Sequence, residues 1–159
     1  MKCLNGSSEQ LTLPIPDIET LAASLRGRQL PGGKYRIAPE ECRAVDAMCA
    51  GTGSVTHPVF ACVAALRGLG ISIDELCRLC DYELARGPML GECQLELRRP
   101  LQAETDYTTS VIIDDLVRSS SRALGVLDRL HFTVVLRDSS PGDAALVKLT
   151  WLFPRGSES

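Results

Sequence analysis

The stretch Leu124-Gly-Val-Leu-Asp-Arg-Leu-His-Phe-Thr-Val-Val-Leu-Arg137 decides the class of fold. In it Leu130, Phe132, Val134 and Leu136 alternate with His131, Thr133 and Val135. Side chains that swap faces at every residue belong to a strand, and an apolar set on one side belongs to a strand over a core. Reading outward, Asp138-Ser-Ser-Pro-Gly-Asp143 is a loop of turn residues. Ala144–Phe153 follows, with Ala145, Val147, Leu149 and Trp151 on one side. Upstream, Tyr107–Val117 is rich in β-branched Thr108, Thr109, Val111, Ile112 and Ile113. Before it, Cys93, Leu95 and Leu97 alternate with Gln94, Glu96 and Arg98. Arg118-Ser-Ser-Ser121 reads as the turn between two of these runs. Short connections between successive strands predict a four-stranded antiparallel meander.

The first half of the chain has helical spacing instead. Pro16–Leu25 predicts a short helix with Asp17 and Glu19 at its positive end, and Leu30-Pro-Gly-Gly33 breaks it. Lys34–Ala38 is a short extended run, and Pro39–Ala50 a helix with Pro39 near its first position. Gly51-Thr-Gly-Ser-Val-Thr-His-Pro58 approaches a second helix over Pro58–Leu69, which is apolar nearly all round and reads as surrounded by other elements. Ser72–Leu79 makes a smaller helix, capped by Ser72 with Glu75 three residues on. The fold class is therefore α+β, a central apolar helix against an antiparallel sheet. One helix does not cover both faces of that sheet, so a second subunit or second copy is expected at the other face or at an edge.

Composition narrows the rest. The 159 residues predict one domain with polar tails at both ends, and 45% hydrophobic content is enough to offset the entropy of ordering. A net charge of −3 with no basic run argues against phosphate-driven nucleic-acid binding. No apolar run reaches the ~18 residues of a membrane span. The first ten residues lack the layout of a signal peptide, from which a cytoplasmic location is expected. Seven cysteines (Cys3, Cys42, Cys49, Cys62, Cys77, Cys80, Cys93), an odd number, read as reduced thiols. Cys77 and Cys80 form a C-x-x-C, but no second pair at zinc-site spacing accompanies them, so no metal is expected and they read as buried small hydrophobes.

Three strings carry a family resemblance. Lys34-Tyr-Arg-Ile-Ala-Pro-Glu-Glu-Cys-Arg-Ala-Val-Asp46 resembles an opening strand and helix. Thr56-His-Pro-Val-Phe-Ala-Cys-Val63 resembles the A-P-P-T-F entry to a central helix. Glu92–Thr108 resembles an F-x-R-P-L-x-x-G-D-x-L strand–turn–strand. In this order they resemble the hotdog fold of the MaoC-like hydratases and dehydratases, in the subgroup of the fungal fatty-acid-synthase dehydratase region. The resemblance spans about residues 34 to 153 of a single domain, 1–159. It implies a sheet wrapped around a central helix, pairing as a dimer, and a substrate carried on coenzyme A or acyl carrier protein with no further cofactor.

The departures bear on chemistry. Catalytic members carry D-x-N-P-x-H, whose Asp and His flank the reacting carbons, with an amide donor for the thioester oxyanion. In one register His57 matches that His while Thr52 replaces the Asp and Ser54 the Asn; in the other, His57-Pro58 is simply the helix entry, which continues into the helix without a gap. In both, the Asp/His pair is missing. Catalytic relatives often have His-Gly at this entry, and Pro58 has no N–H to give in place of the glycine. The resemblance implies the partner half of a double-hotdog or heterodimeric dehydratase, which shapes the acyl tunnel.

Candidate residues follow. His57 either orients a thioester or acts as a lone acid/base, or it is a helix-entry histidine bonded to backbone. Arg98 and Arg99 either meet the phosphorylated carrier or pair on the surface. Pro58, Phe60 and Val63, with Leu66, either bound an acyl tunnel or pack the core. His131 is expected to face solvent or an interface, and Asp114, Asp115 and Asp128 are expected to be surface charges. The expected function is a non-catalytic or weakly catalytic subunit, paired with a catalytic hotdog chain in an (R)-3-hydroxyacyl-thioester dehydratase or 2-enoyl-thioester hydratase. The alternatives are a self-sufficient homodimeric dehydratase or thioesterase using His57, and a non-enzymatic acyl-thioester binding module.

Overall fold

The alternation in the deciding stretch is realised residue by residue. Leu130, Phe132, Val134 and Leu136 are each at most 1% exposed, while His131 and Val135 between them are half-buried. The computed structural model describes residues 15–49 and 56–156. Its elements are α1 (Ile18–Leu25), β1 (Gln29–Leu30), β2 (Lys34–Arg36), α2 (Pro39–Cys49), α3 (Val59–Arg67), α4 (Ile73–Leu79), β3 (Met89–Leu97), β4 (Asp106–Ser121), β5 (Gly125–Arg137) and β6 (Ala145–Gly156). A single 3-10 turn, Leu84–Arg86, precedes β3.

The helix starts follow local chemistry. Asp17 caps α1 by accepting the Thr20 N–H at 2.9 Å. Ser72 and Glu75 form a reciprocal capping box on α4. Both satisfy amide donors that the first turn of a helix leaves without partners.

The strands form one antiparallel sheet in the order β1-β4-β5-β6-β3, with β2 also on β4. This corrects the simple meander. β4, β5 and β6 are consecutive neighbours, but β3 pairs with β6, in the register Cys93↔Leu149 and Leu97↔Ala145. The edge of β4 that β3 would have taken is occupied by β1 and β2. A second correction concerns Arg118–Ser121, which is not a turn. β4 continues through Ser121↔Gly125, and the chain reverses over 122–124. The Arg118 guanidinium meets Asp128 on the paired strand at 2.6 and 2.9 Å, which holds the ladder together past the apolar stretch.

The inner face of the sheet receives Phe60, Ala61, Ala64 and Ala65 of α3, all buried. The small alanines let helix and sheet approach closely. One flank of α3 stays uncovered: Val59 is 38% exposed and Cys62, Val63 and Leu66 are half-buried. Beside it runs the edge strand β3, where Met89, Leu90, Leu95 and Leu97 are all exposed. No helix of the described residues is long and apolar enough to cross a membrane.

Candidate functional site

The entry to α3 and the end of β3 meet in an apolar cleft of about 280 Å³. Thr56 and Pro58 form one wall; Leu97, Arg98 and Arg99, running on into Pro100 and Leu101, form the other. The volume lies near the lower end of ligand pockets, which start at about 300 Å³. Of the residues singled out from sequence, Pro58, Arg98 and Arg99 are thus brought together. Thr56, Leu97, Pro100 and Leu101 were not singled out, although all lie in the strings that carried the resemblance.

The two arginines differ in what they are free to do. Arg99 makes a two-pronged pair with Asp138, Nη2–Oδ1 at 2.8 Å and Nε–Oδ2 at 3.3 Å. It also donates to the carbonyls of Asp143 at 3.0 Å and Gly142 at 3.2 Å. That clamps the loop between β5 and β6. Among the described residues Arg98 makes a surface pair with Glu96 at 2.8 Å, both side chains more than half exposed, an interaction worth little in water.

His57 is turned back on its own helix. Its Nδ1 accepts the Val59 N–H at 3.1 Å, and its carbonyl accepts the Phe60 N–H at 3.1 Å. Pro58, between them, brings no donor to this end of the helix. Thr52 and Ser54 lie outside the described residues. Phe60, 2% exposed, sits in the core rather than on the cleft wall, and Val63 lies on the uncovered flank of α3.

Further from the cleft, one expectation is overturned. Asp128 is not a surface charge: it is fully buried and held by Arg118 and Arg155. The reason is its place in the pleat, where β5 crosses between two strands that each supply a guanidinium. Asp114 accepts the Thr133 hydroxyl at 2.7 Å, and Asp115 pairs with Arg26 at 2.7 Å. Arg26 holds the Asp115 carboxyl below its ordinary value. His131 is half-buried, with Nδ1 3.0 Å from the Thr150 hydroxyl. Cys77 and Cys80 are sealed in the core, and burial pushes the Cys80 thiol up to about 12, which leaves it unreactive.

One residue that the sequence did not single out organises the far end of α3. The Thr109 hydroxyl donates to the Gly68 carbonyl at 2.5 Å and accepts the Gly33 N–H at 2.9 Å. Gly32 passes so close that a Cβ there would lie 1.9 Å from the Thr109 carbonyl oxygen. Only glycine fits that crossing.

No family model matches this sequence, and no curated protein matches it. Solved structures do. The ChsH1–ChsH2 complex from Mycobacterium tuberculosis aligns over 89% of this chain and 90% of that one, with a TM-score of 0.57 and 17% identity. A monoamine oxidase regulatory protein from Archaeoglobus aligns over 80% and 89%, at 0.58 and 8%. A probable thioesterase from Bartonella henselae aligns over 79% and 92%, at 0.50 and 14%. At such identities the likeness is one of fold. The chain is a hotdog-fold protein, an antiparallel sheet curled on a central helix.

Proposed function

We propose that this chain is a MaoC-like subunit of an (R)-3-hydroxyacyl-thioester dehydratase or 2-enoyl-thioester hydratase. It binds the acyl thioester, and a second hotdog chain supplies the Asp/His pair that moves the proton. The observation that carries this reading is the chemistry of the cleft. It lies where the α3 entry meets the edge strand of the described sheet, its lining is mostly apolar, and no lining residue among those described has a carboxylate or imidazole. Pro58 withholds the amide donor that an oxyanion needs.

Hydration of an enoyl thioester needs a base for water and an acid for the α carbon. In this reading both come from across the join. This chain contributes the apolar wall for the acyl group and Arg98 for a phosphate of coenzyme A or of the acyl carrier's pantetheine arm. Arg99 stays with its loop. The apolar exposure of β3 and Val59 supports a hotdog partner at that edge, and the likeness to a two-protein complex agrees with it. We place this activity in the cytoplasm, where unpaired thiols remain reduced.

The test is reconstitution. The chain alone is expected to show no hydration of a short 2-enoyl thioester, and the mixture with a catalytic hotdog chain is expected to turn it over. Full turnover by this chain alone would overturn the proposal. Thioester binding by calorimetry, with no turnover in any pairing, would reassign the chain as a binding module.

A further inference from the structure

The two short strands do not line the edge of β4 continuously. Leu30 pairs with Val111 and Lys34 with Thr108, so residues 31–33 stand opposite only 109 and 110. The extra residue makes a bulge, and the bulge bends inward. Gly32 bridges to Leu69, and the Pro31 carbonyl accepts the Gly70 N–H at 3.1 Å, just past the end of α3. Gly32 and Gly33 bring no side chain back to the surface. A groove of about 400 Å³ is left on the outer face of the sheet. It lies at the opposite edge from β3 and the cleft.

The groove joins polar side chains to an apolar floor. Ser110 and Ile112 point outward from β4, alternating with the buried Thr109 and Val111. Ser110 pairs across with Val135, and Ile112 with Gln29. Arg137 reaches back over this floor. Its Nη1 donates to the Ser110 hydroxyl oxygen at 3.0 Å, and its Nε donates to Asp143 at 2.8 Å. Among the described residues, Arg137 Nη2 and the Gln29 side-chain amide make no hydrogen bond. The Ser110 hydroxyl accepts from Arg137 and so keeps its own proton to donate.

We propose that this groove binds a small monocarboxylate with an apolar tail. The carboxylate accepts from Arg137 Nη2, the Ser110 hydroxyl and the Gln29 amide, and the tail lies on Ile112 and Val135. Hydrogen bonds from a guanidinium to a carboxylate are among the strong ones. Charge selects the class. Lys34, Thr108 and Arg137 form one row across the sheet, and Asp143 pairs with Arg137. Lys34 makes no ion pair among the described residues. The row with Asp143 therefore carries one net positive charge, which matches one carboxylate and leaves a doubly charged phosphate half-compensated. The site shares no residue with the cleft and stands apart from the functional reading above.

The experiment titrates hexanoate into the full chain, labelled with nitrogen-15, and follows the amide resonances. Saturable shifts are expected at Gln29, Gly32, Ser110 and Ile112, whether or not the cleft amides of Leu97 and Leu101 also move. Hexanol, which has the tail without the charge, and inorganic phosphate are expected to give no saturable shift at these four. Arg137→Gln is expected to weaken hexanoate binding at the groove about tenfold or more, the usual loss of a hydrogen bond to a charged group. Ser110→Ala, at an exposed position, is expected to weaken it by a smaller factor and to leave the fold intact. Absence of saturable shifts at the four amides overturns the proposal, as do shifts confined to the cleft. Phosphate binding there as tightly as hexanoate overturns the ligand class, and unchanged affinity in both variants overturns the assigned donors.

Discussion

Arg155 donates from Nε to Asp128 Oδ2 at 2.8 Å, with 2% of the arginine side chain and none of the aspartate exposed to solvent. The same arginine donates to the carbonyls of Cys80 and Asp81 and lies over the Tyr82 ring, 5.2 Å from its centre. Arg118 completes the cluster from the other side of Asp128. The last strand is thereby fastened to the end of α4, and one buried carboxylate is shared between two guanidinium groups. Asp128→Ala leaves both arginines without their shared counter-ion, so the expected loss is about 3–5 kcal/mol. Urea denaturation would read this as a lower midpoint at unchanged slope. A loss under about 1 kcal/mol would show that water reaches the cluster, which makes the pairing worth no more than a surface bridge.

That cluster also shows where sequence reading stops. Leu130–Leu136 and Ala145–Trp151 declare their faces through the pleat, and the helix starts declare themselves through Asp17, Ser72 and Glu75. A pleat reports which face a side chain takes, not which strand lies alongside. The alternation over Cys93–Leu97 is therefore equally compatible with β4 and with β6, and the answer was set by the two-residue β1 and three-residue β2. Nor does a lone Asp in a strand reveal that two arginines ten and twenty-seven residues away converge on it. For the cleft, the strings around Pro58 and Arg98 hold the residues that line it. The different fates of Arg98 and Arg99 depend on where the loop after β5 folds back, which adjacent arginines cannot signal.

Thr109→Val keeps the shape of the side chain and removes its hydroxyl. The Gly33 N–H loses its acceptor and the Gly68 carbonyl loses its donor. One group left unsatisfied at a part-buried site costs about 1–3 kcal/mol. Because Gly68 ends α3, amide exchange in the last turn of that helix is expected to accelerate more than exchange in β5. Uniform acceleration throughout the sheet would show a global loss instead of this local tether.

Arg98 and Arg99 separate binding from folding. Arg99→Ala removes the clamp on Asp138 and on the loop carbonyls, with an expected loss of about 1–3 kcal/mol for these charge-assisted bonds. Arg98→Ala breaks a surface pair and is expected to leave stability within about 0.5 kcal/mol. In the reconstituted assembly Arg98→Ala is expected to raise the KM for the coenzyme A thioester several-fold, with kcat little changed. An unchanged KM would remove Arg98 from the carrier site.

His57→Ala tests the histidine by its geometry. Its Nδ1 acts as a cap for the Val59 N–H, so the substitution is expected to cost about 1 kcal/mol, as losing other helix caps does. Turnover of the reconstituted assembly is expected to survive. Abolished turnover with stability intact would return His57 to the chemistry as an acid/base.

Acid lability follows from carboxylates whose partners hold them ionised. Arg99 first, with the Ser140 N–H after it, keeps the Asp138 carboxyl below its ordinary 3.8. Tyr35 first, then Arg67, keeps Glu41 below 4.5 and tethers α2 to β2 and α3. A carboxyl lowered in the folded state contributes stability that is present above its unfolded value and is lost as pH falls through the folded one. The unfolding free energy is therefore expected to be nearly flat from neutrality to about pH 5 and to fall steeply below about pH 4. Asp138→Asn and Glu41→Gln each remove one titrating group, so each variant is expected to start less stable at pH 7 and to lose less on acidification. Urea titrations at several pH values would measure both slopes. An unaltered slope in Asp138→Asn would mean that the Arg99 clamp does not depend on the charge of Asp138.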